Sequence, residues 1–104
     1  MGITHFYLLN GFRKSEKTYY ENNRVKKIRI AANGKSYGEY ILKDRPFKEI
    51  NDFNFAYEAD FIDLRYKSLP EEFDIEILEV YPGTKYNDTC ISEIVILNVS
   101  IPHI

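Results

Sequence analysis

Short apolar–polar alternations set between turn pairs constrain the fold of this chain more than any other feature. Thr4-His5-Phe6-Tyr7-Leu8-Leu9 is aromatic and branched, and it stops at Asn10-Gly11, a strong turn pair. Arg24 to Ala31 reads as a strand in which Ile28 and Ile30 share a face while Val25 has the opposite parity, which predicts a bulge. Asn33-Gly34 predicts a hairpin turn, with Ser36 to Leu42 as the returning strand. Phe61 to Tyr66 alternates Ile62, Leu64 and Tyr66 against Asp63 and Arg65, and Leu69-Pro70-Glu71-Glu72 ends it. Phe73 to Tyr81 resumes the pattern, with Phe73, Ile75 and Ile77 on one face and Leu78 and Val80 on the other parity. Ile91 to Ile101 forms the last strand, closed by Pro102. Phe12 to Asn23 is polar with poor apolar spacing and reads as a long ordered loop. Lys43 to Asp60, where Phe47, Ile50, Phe53 and Phe55 are scattered among polar residues, has the least legible pattern. Many short strands without a convincing helix predict an all-β sandwich, one domain over residues 1–104.

The chain has 104 residues, enough for one two-layer core. A net charge of −2 supplies no global field for nucleic acid or an anionic membrane. The basic run Arg24-Val25-Lys26-Lys27-Ile28-Arg29 alternates with apolar residues, as a strand with one solvated face would. Cys90 is the only cysteine, so no internal disulfide can form. No charged-then-apolar leader precedes the domain and no stretch approaches the ~18 apolar residues of a membrane span. The compartment stays undetermined, since a secreted or cell-surface chain could have lost its signal.

Between the last two strands lies Tyr81-Pro82-Gly83-Thr84-Lys85-Tyr86-Asn87-Asp88-Thr89-Cys90, a loop dense in phenols, charge, amide and hydroxyls. Loops on a rigid scaffold carry function disproportionately often. Catalytic patterns are missing: there is no Gly-rich phosphate loop, HExxH, CxxC or GxSxG. His5 and His103 sit near opposite ends of the sequence and read as surface residues. Cys90 reads as a small buried hydrophobe, and Glu71-Glu72 as a solvated turn rather than a pair of catalytic acids. No self-sufficient catalytic set emerges, so an enzyme is not expected.

The run Tyr81-Pro82-Gly83-Thr84-Lys85-Tyr86-x-Asp88-Thr89-Cys90-Ile91-Ser92-Glu93-Ile94 resembles the C-terminal signature of the NADase-type glycan-binding domain. A second, upstream match is Asn10-Gly11-Phe12-x-Lys14-Ser15-Glu16, followed by Tyr19, Asn23 and Arg24-Val25-Lys26-Lys27-Ile28. The resemblance covers roughly Ile3 to Leu97 and is loosest over Asp44 to Asp60, which looks like an insertion. It implies a discoidin-like, galactose-binding-type jelly roll similar to coagulation-factor type C domains. In the bacterial toxin behind the family name, the domain serves delivery and is not the catalytic part. The family pattern carries another strand or two before Ile3, with a segment of the type Asp-Gly-x-x-x-Thr-x-Trp; this sequence has neither that segment nor any Trp. The upstream half of a calcium site that would use Glu93 is therefore missing, and no metal or cofactor is expected.

If the loops Asn10–Asn23 and Tyr81–Thr89 lie at one end of the sandwich, they bring together Asn10, Lys14, Tyr19, Arg24, Tyr81, Lys85, Tyr86 and Asp88. Tyrosine faces with amide and charged groups suit a glycan or other polyol. The competing reading is internal fastening: Lys14, Arg24, Asp88 and Glu93 as a buried ion network, with Thr84 and Thr89 tying the loop backbones. A shortened sandwich would also expose a sheet edge for a homodimer, another protein or a larger parent chain. The expected function is thus a non-enzymatic binding module, with protein interaction or self-assembly as the alternative.

Overall fold

The computed structural model describes residues 5–64, 70 and 72–97. Six strands and two short helices follow in the order β1 His5–Asn10, α1 Glu16–Glu21, β2 Arg24–Ala32, β3 Lys35–Ile41, α2 Phe55–Glu58, β4 Asp60–Asp63, β5 Asp74–Tyr81 and β6 Ile91–Leu97. The strands form two antiparallel three-stranded sheets, β4-β1-β6 and β3-β2-β5. Phe6, Leu8 and Ile62 from the first sheet bury against Val25, Ile28 and Ile30 from the second, with Leu42 and Leu64 completing the core. Alternation at the strand period gives each sheet one apolar face, and the two faces meet to form a β-sandwich.

The bulge expected in β2 is present. Against β5, Val25 pairs with Val80 and Ile28 with Ile77, while Lys26 and Leu78 fall at register shifts between them. Each strand carries one extra residue there, and the one in β2 resets its parity, which lets Val25, Ile28 and Ile30 all reach the core. Asn33 (φ 52°) and Gly34 (φ 76°) close the β2–β3 hairpin, with Ala32 paired to Lys35. Both central residues are left-handed, the conformation that two-residue hairpin turns require and Asn-Gly supplies at low cost.

The segment Phe12–Asn23 is not all loop. Its centre is α1, capped by Ser15: the Thr18 N–H donates to Ser15 Oγ (3.2 Å) and the Ser15 N–H donates to Thr18 Oγ1 (3.0 Å). A six-residue helix with one buried residue, Tyr19, is too short to show a helical period, so the cap was its only legible signal. Lys43–Asp60 is a largely irregular strap that ends in α2. The expected strand Phe61–Tyr66 is observed as β4, with Arg65 and Tyr66 outside the described residues, as is the stretch 98–101 expected to extend β6.

Candidate functional site

The two polar loops do meet. The 82–90 loop lies against the C-terminal turn of α1, where helix carbonyls lack intrahelical partners. The Thr84 N–H donates to the Tyr20 carbonyl (2.9 Å), and the Lys85 and Tyr86 N–H groups donate to that of Glu21 (3.2 and 2.8 Å). Asn23 is the second fastening. It is buried, its Oδ1 accepts from the Gly83 N–H (2.7 Å), and its Nδ2 donates to Asn87 Oδ1 (3.0 Å). Its backbone N–H donates to the Asp88 carbonyl (2.8 Å). Gly83 is required there, because a Cβ would run into the Glu21 carbonyl and lie 2.5 Å from the Asn22 carbonyl carbon.

The strap 42–48 is the third partner. Tyr19, 1% exposed, donates its hydroxyl proton to the Arg45 carbonyl (2.6 Å), and the Phe47 N–H donates to the Tyr20 hydroxyl (3.0 Å). Arg24 is buried and forked onto Asp44, Nε to Oδ1 at 2.8 Å and Nη2 to Oδ2 at 3.3 Å. The guanidinium carbons of Arg13 and Arg24 lie 4.8 and 5.0 Å from the centre of the Tyr19 ring. The hydrogen bond to Asp44 raises the Arg24 pKa, outweighing desolvation. Burial lowers that of Arg13, and burial raises that of the Tyr19 phenol, opposed by the two cations beside it. All three groups keep their ordinary charge at neutral pH.

The eight residues expected at a site fall into separate sets. Asn10, Tyr19 and Arg24 are buried. Asn10 is committed to the Val25 backbone, donating from Nδ2 to its carbonyl (2.7 Å) and accepting from its N–H (2.8 Å). Tyr81 donates its hydroxyl proton to the Leu42 carbonyl (2.7 Å). Lys14, Lys85, Tyr86 and Asp88 are exposed. Lys85 approaches Glu21 (3.9 Å) and lies 5.2 Å from the Tyr86 ring centre. Lys14 and Lys85 thus stand at opposite ends of α1.

The buried ion network expected of Lys14, Arg24, Asp88 and Glu93 does not form: Arg24 pairs with Asp44, and Lys14, Asp88 and Glu93 are exposed. Fastening does occur, through backbone groups, Asn23 and Thr84, whose Oγ1 donates to the Tyr20 carbonyl (3.2 Å). Thr89 Oγ1 accepts only a long bond from Asn23 (3.4 Å). Asp44 and Arg45 were missed because the strap has no period, and Arg13 because the turn before α1 has none either. The signal available was a lone acid directly after a strand, within reach of a basic one.

Between the loops opens a cleft of about 570 Å³, lined by Gly11, Phe12, Arg13, Lys14, Cys90, Ile91 and Ser92. Ser92 holds its floor, donating from Oγ to the Gly11 carbonyl (2.6 Å) and accepting from the Arg13 N–H (3.3 Å). Cys90 is half-buried rather than buried, because it lines this opening. Cleft and loops offer cations, hydroxyls and aromatic faces. They show no nucleophile–base pair among the described residues. No cluster of three or more histidine, cysteine, aspartate or glutamate side chains able to hold a metal occurs among those residues either.

A family model described as the NAD glycohydrolase translocation F5/8 type C domain matches residues 1–97. The chain belongs to that family. Its description attaches the domain to translocation rather than to hydrolysis of NAD, and the F5/8 type C architecture agrees with the discoidin-like sandwich observed. No curated protein and no solved structure matches the chain. No helix among the described residues is long and apolar enough to cross a membrane.

Proposed function

We propose that this translocation-family chain is a single, non-catalytic binding domain that recognises a glycan through the loop end of its sandwich. The observation that carries this reading is the cleft beside the 82–90 loop. Lys14 and the partly exposed Phe12 form its wall, while Asn10, Tyr19, Arg24 and Tyr81 brace the loops behind it. The buried members position; of the exposed members, Lys14 contacts ligand in the cleft, and Lys85, Tyr86 and Asp88, which do not line it, extend the contact along the 82–90 loop. An aromatic face with a few polar groups on a braced rim suits a sugar ring and its hydroxyls.

A broad glycan array followed by titration of the best hits tests this. The Lys14→Ala and Tyr86→Ala variants should each weaken the best hit by about tenfold, the loss expected for one hydrogen bond to a charged group or one ring contact. Their melting temperatures should stay near that of the parent. Silence on both array and titration would sink the proposal.

A further inference from the structure

We propose that the open side of the sandwich between β5 and β6 is an acceptor cleft for one extended segment of another protein, apolar at every second residue and basic between. Antiparallel partners point to the same face of a sheet. Ile94 pairs with Leu8, Ile96 with Phe6 and Ile77 with Ile28. Leu8, Phe6 and Ile28 are 0% exposed, yet their inward-facing neighbours Ile94, Ile96 and Ile77 are 38%, 49% and 44% exposed. The core is therefore uncovered along one side. Among the described residues β5 and β6 are also the edge strands there, each paired only with the centre of its sheet. Free edges and exposed inward isoleucines are the two things an added strand uses: ladder hydrogen bonds for affinity and alternate pockets for side chains.

Charge selects the occupant. The cleft holds about 600 Å³ and is lined by Ala32, Asn33, Phe73, Ile75, Ile94 and Ile96 with two charged residues, Glu72 and Asp74, both acidic. Glu76 and Glu79 continue the acidic row along β5 but already pair with Arg29 (2.6 Å) and Lys27 (3.6 Å), so Glu72 and Asp74 at the cleft carry the selection. A strand laid beside it meets carboxylates at its outward positions, so lysine or arginine there is favoured and acid opposed. A second copy of this chain cannot supply such a strand from the described residues. Only β2 alternates bases with apolar residues, and it is the centre of its sheet, paired on both edges. Of the edge strands, β4, β5 and β6 carry acids and no base, and β3 has a single base, Lys35, at its start and an acid, Glu39, within it.

Seven-residue peptides test this on the full chain: one alternating valine with lysine, one valine with glutamate, and one of the lysine composition interrupted by proline. The lysine peptide should bind and shift the backbone amides of Ile77, Ile94 and Ile96, with the other two at least about tenfold weaker. Ile96→Arg should abolish binding. Glu72→Lys with Asp74→Lys, both at exposed positions, should reverse the preference toward the glutamate peptide without disturbing the core. Equal binding of the lysine and glutamate peptides, shifts confined to the Lys14 cleft, or no binding would overturn the proposal. So would sedimentation showing a dimer whose formation Ile96→Arg prevents, since a second copy would then be the occupant. Sugar titrations are read at Lys14 and Tyr86, so either proposal can fail without the other.

Discussion

Asp60 is buried where the strap returns to β4, and it is incompletely partnered. Its Oδ1 accepts from the Lys43 N–H (3.3 Å) and from Arg45 Nη2 (3.5 Å), both long. Its Oδ2 and Arg45 Nε are buried with no hydrogen-bond partner in the structure. Burial therefore raises the carboxyl above its ordinary value of 3.8, with the Lys43 amide and Arg45 pulling the other way. The folded chain holds this proton more tightly than the unfolded chain does. The Asp60 contribution to stability is thus greatest below the ordinary carboxylate pKa, and it fades as pH rises through the window up to the raised folded value. Against an Asp60→Asn variant, the parent should lose relative stability as pH is raised through that window, measured by urea unfolding at a series of pH values. A parent that instead gains on the variant as pH rises would show that the Arg45 pair outweighs burial.

At the scale of elements, the contact between α1 and the 82–90 loop joins two pieces that neither sheet holds. The loop's amides satisfy the helix's last carbonyls, and Asn23 ties the loop back to the start of β2. Asn23→Ala leaves the part-buried Gly83 N–H without its partner, a loss of about 1 kcal/mol. Thermal or urea unfolding should register that loss, and the amides of Thr84, Lys85 and Tyr86 should exchange faster. Lys85→Ala, in contrast, removes only an exposed ammonium 3.9 Å from Glu21 and should leave stability within experimental error. If both variants were equally destabilised, the loop would be held by charge and not by its backbone.

For the molecule as a whole, legibility followed period and burial. β2 and β3 were readable to within a residue because branched apolar residues alternate there and Asn33-Gly34 fixes their turn. Even the bulge was readable, as a parity change between Val25 and Ile28. α1 was not, since a helix with one buried side chain has no period to detect. The strap was opaque for another reason. Phe53, 91% exposed, and Tyr57, 79% exposed, make its aromatic content look like core when much of it faces solvent. Of the candidate site, the pairing of the two loops was foreseeable from chain order, whereas the salt bridge of Arg24 to Asp44 depends on a tertiary path that no local pattern encodes.

The first and last described strands also lie side by side, with His5 directly opposite Leu97. Over the described residues the path of the chain is therefore nearly a closed circuit. A circular permutant that joins the ends of the sequence through a short flexible linker, and opens the chain at the exposed Asn33-Gly34 tip, would keep every core contact and lose one turn. It should fold with the parent's circular dichroism spectrum and a modestly lower melting temperature. A permutant that fails to fold would show that the β2–β3 turn must form early for the sandwich to assemble. By the same geometry the sandwich could be carried within a loop of another protein, as a guest whose entry and exit occupy a single point on its host.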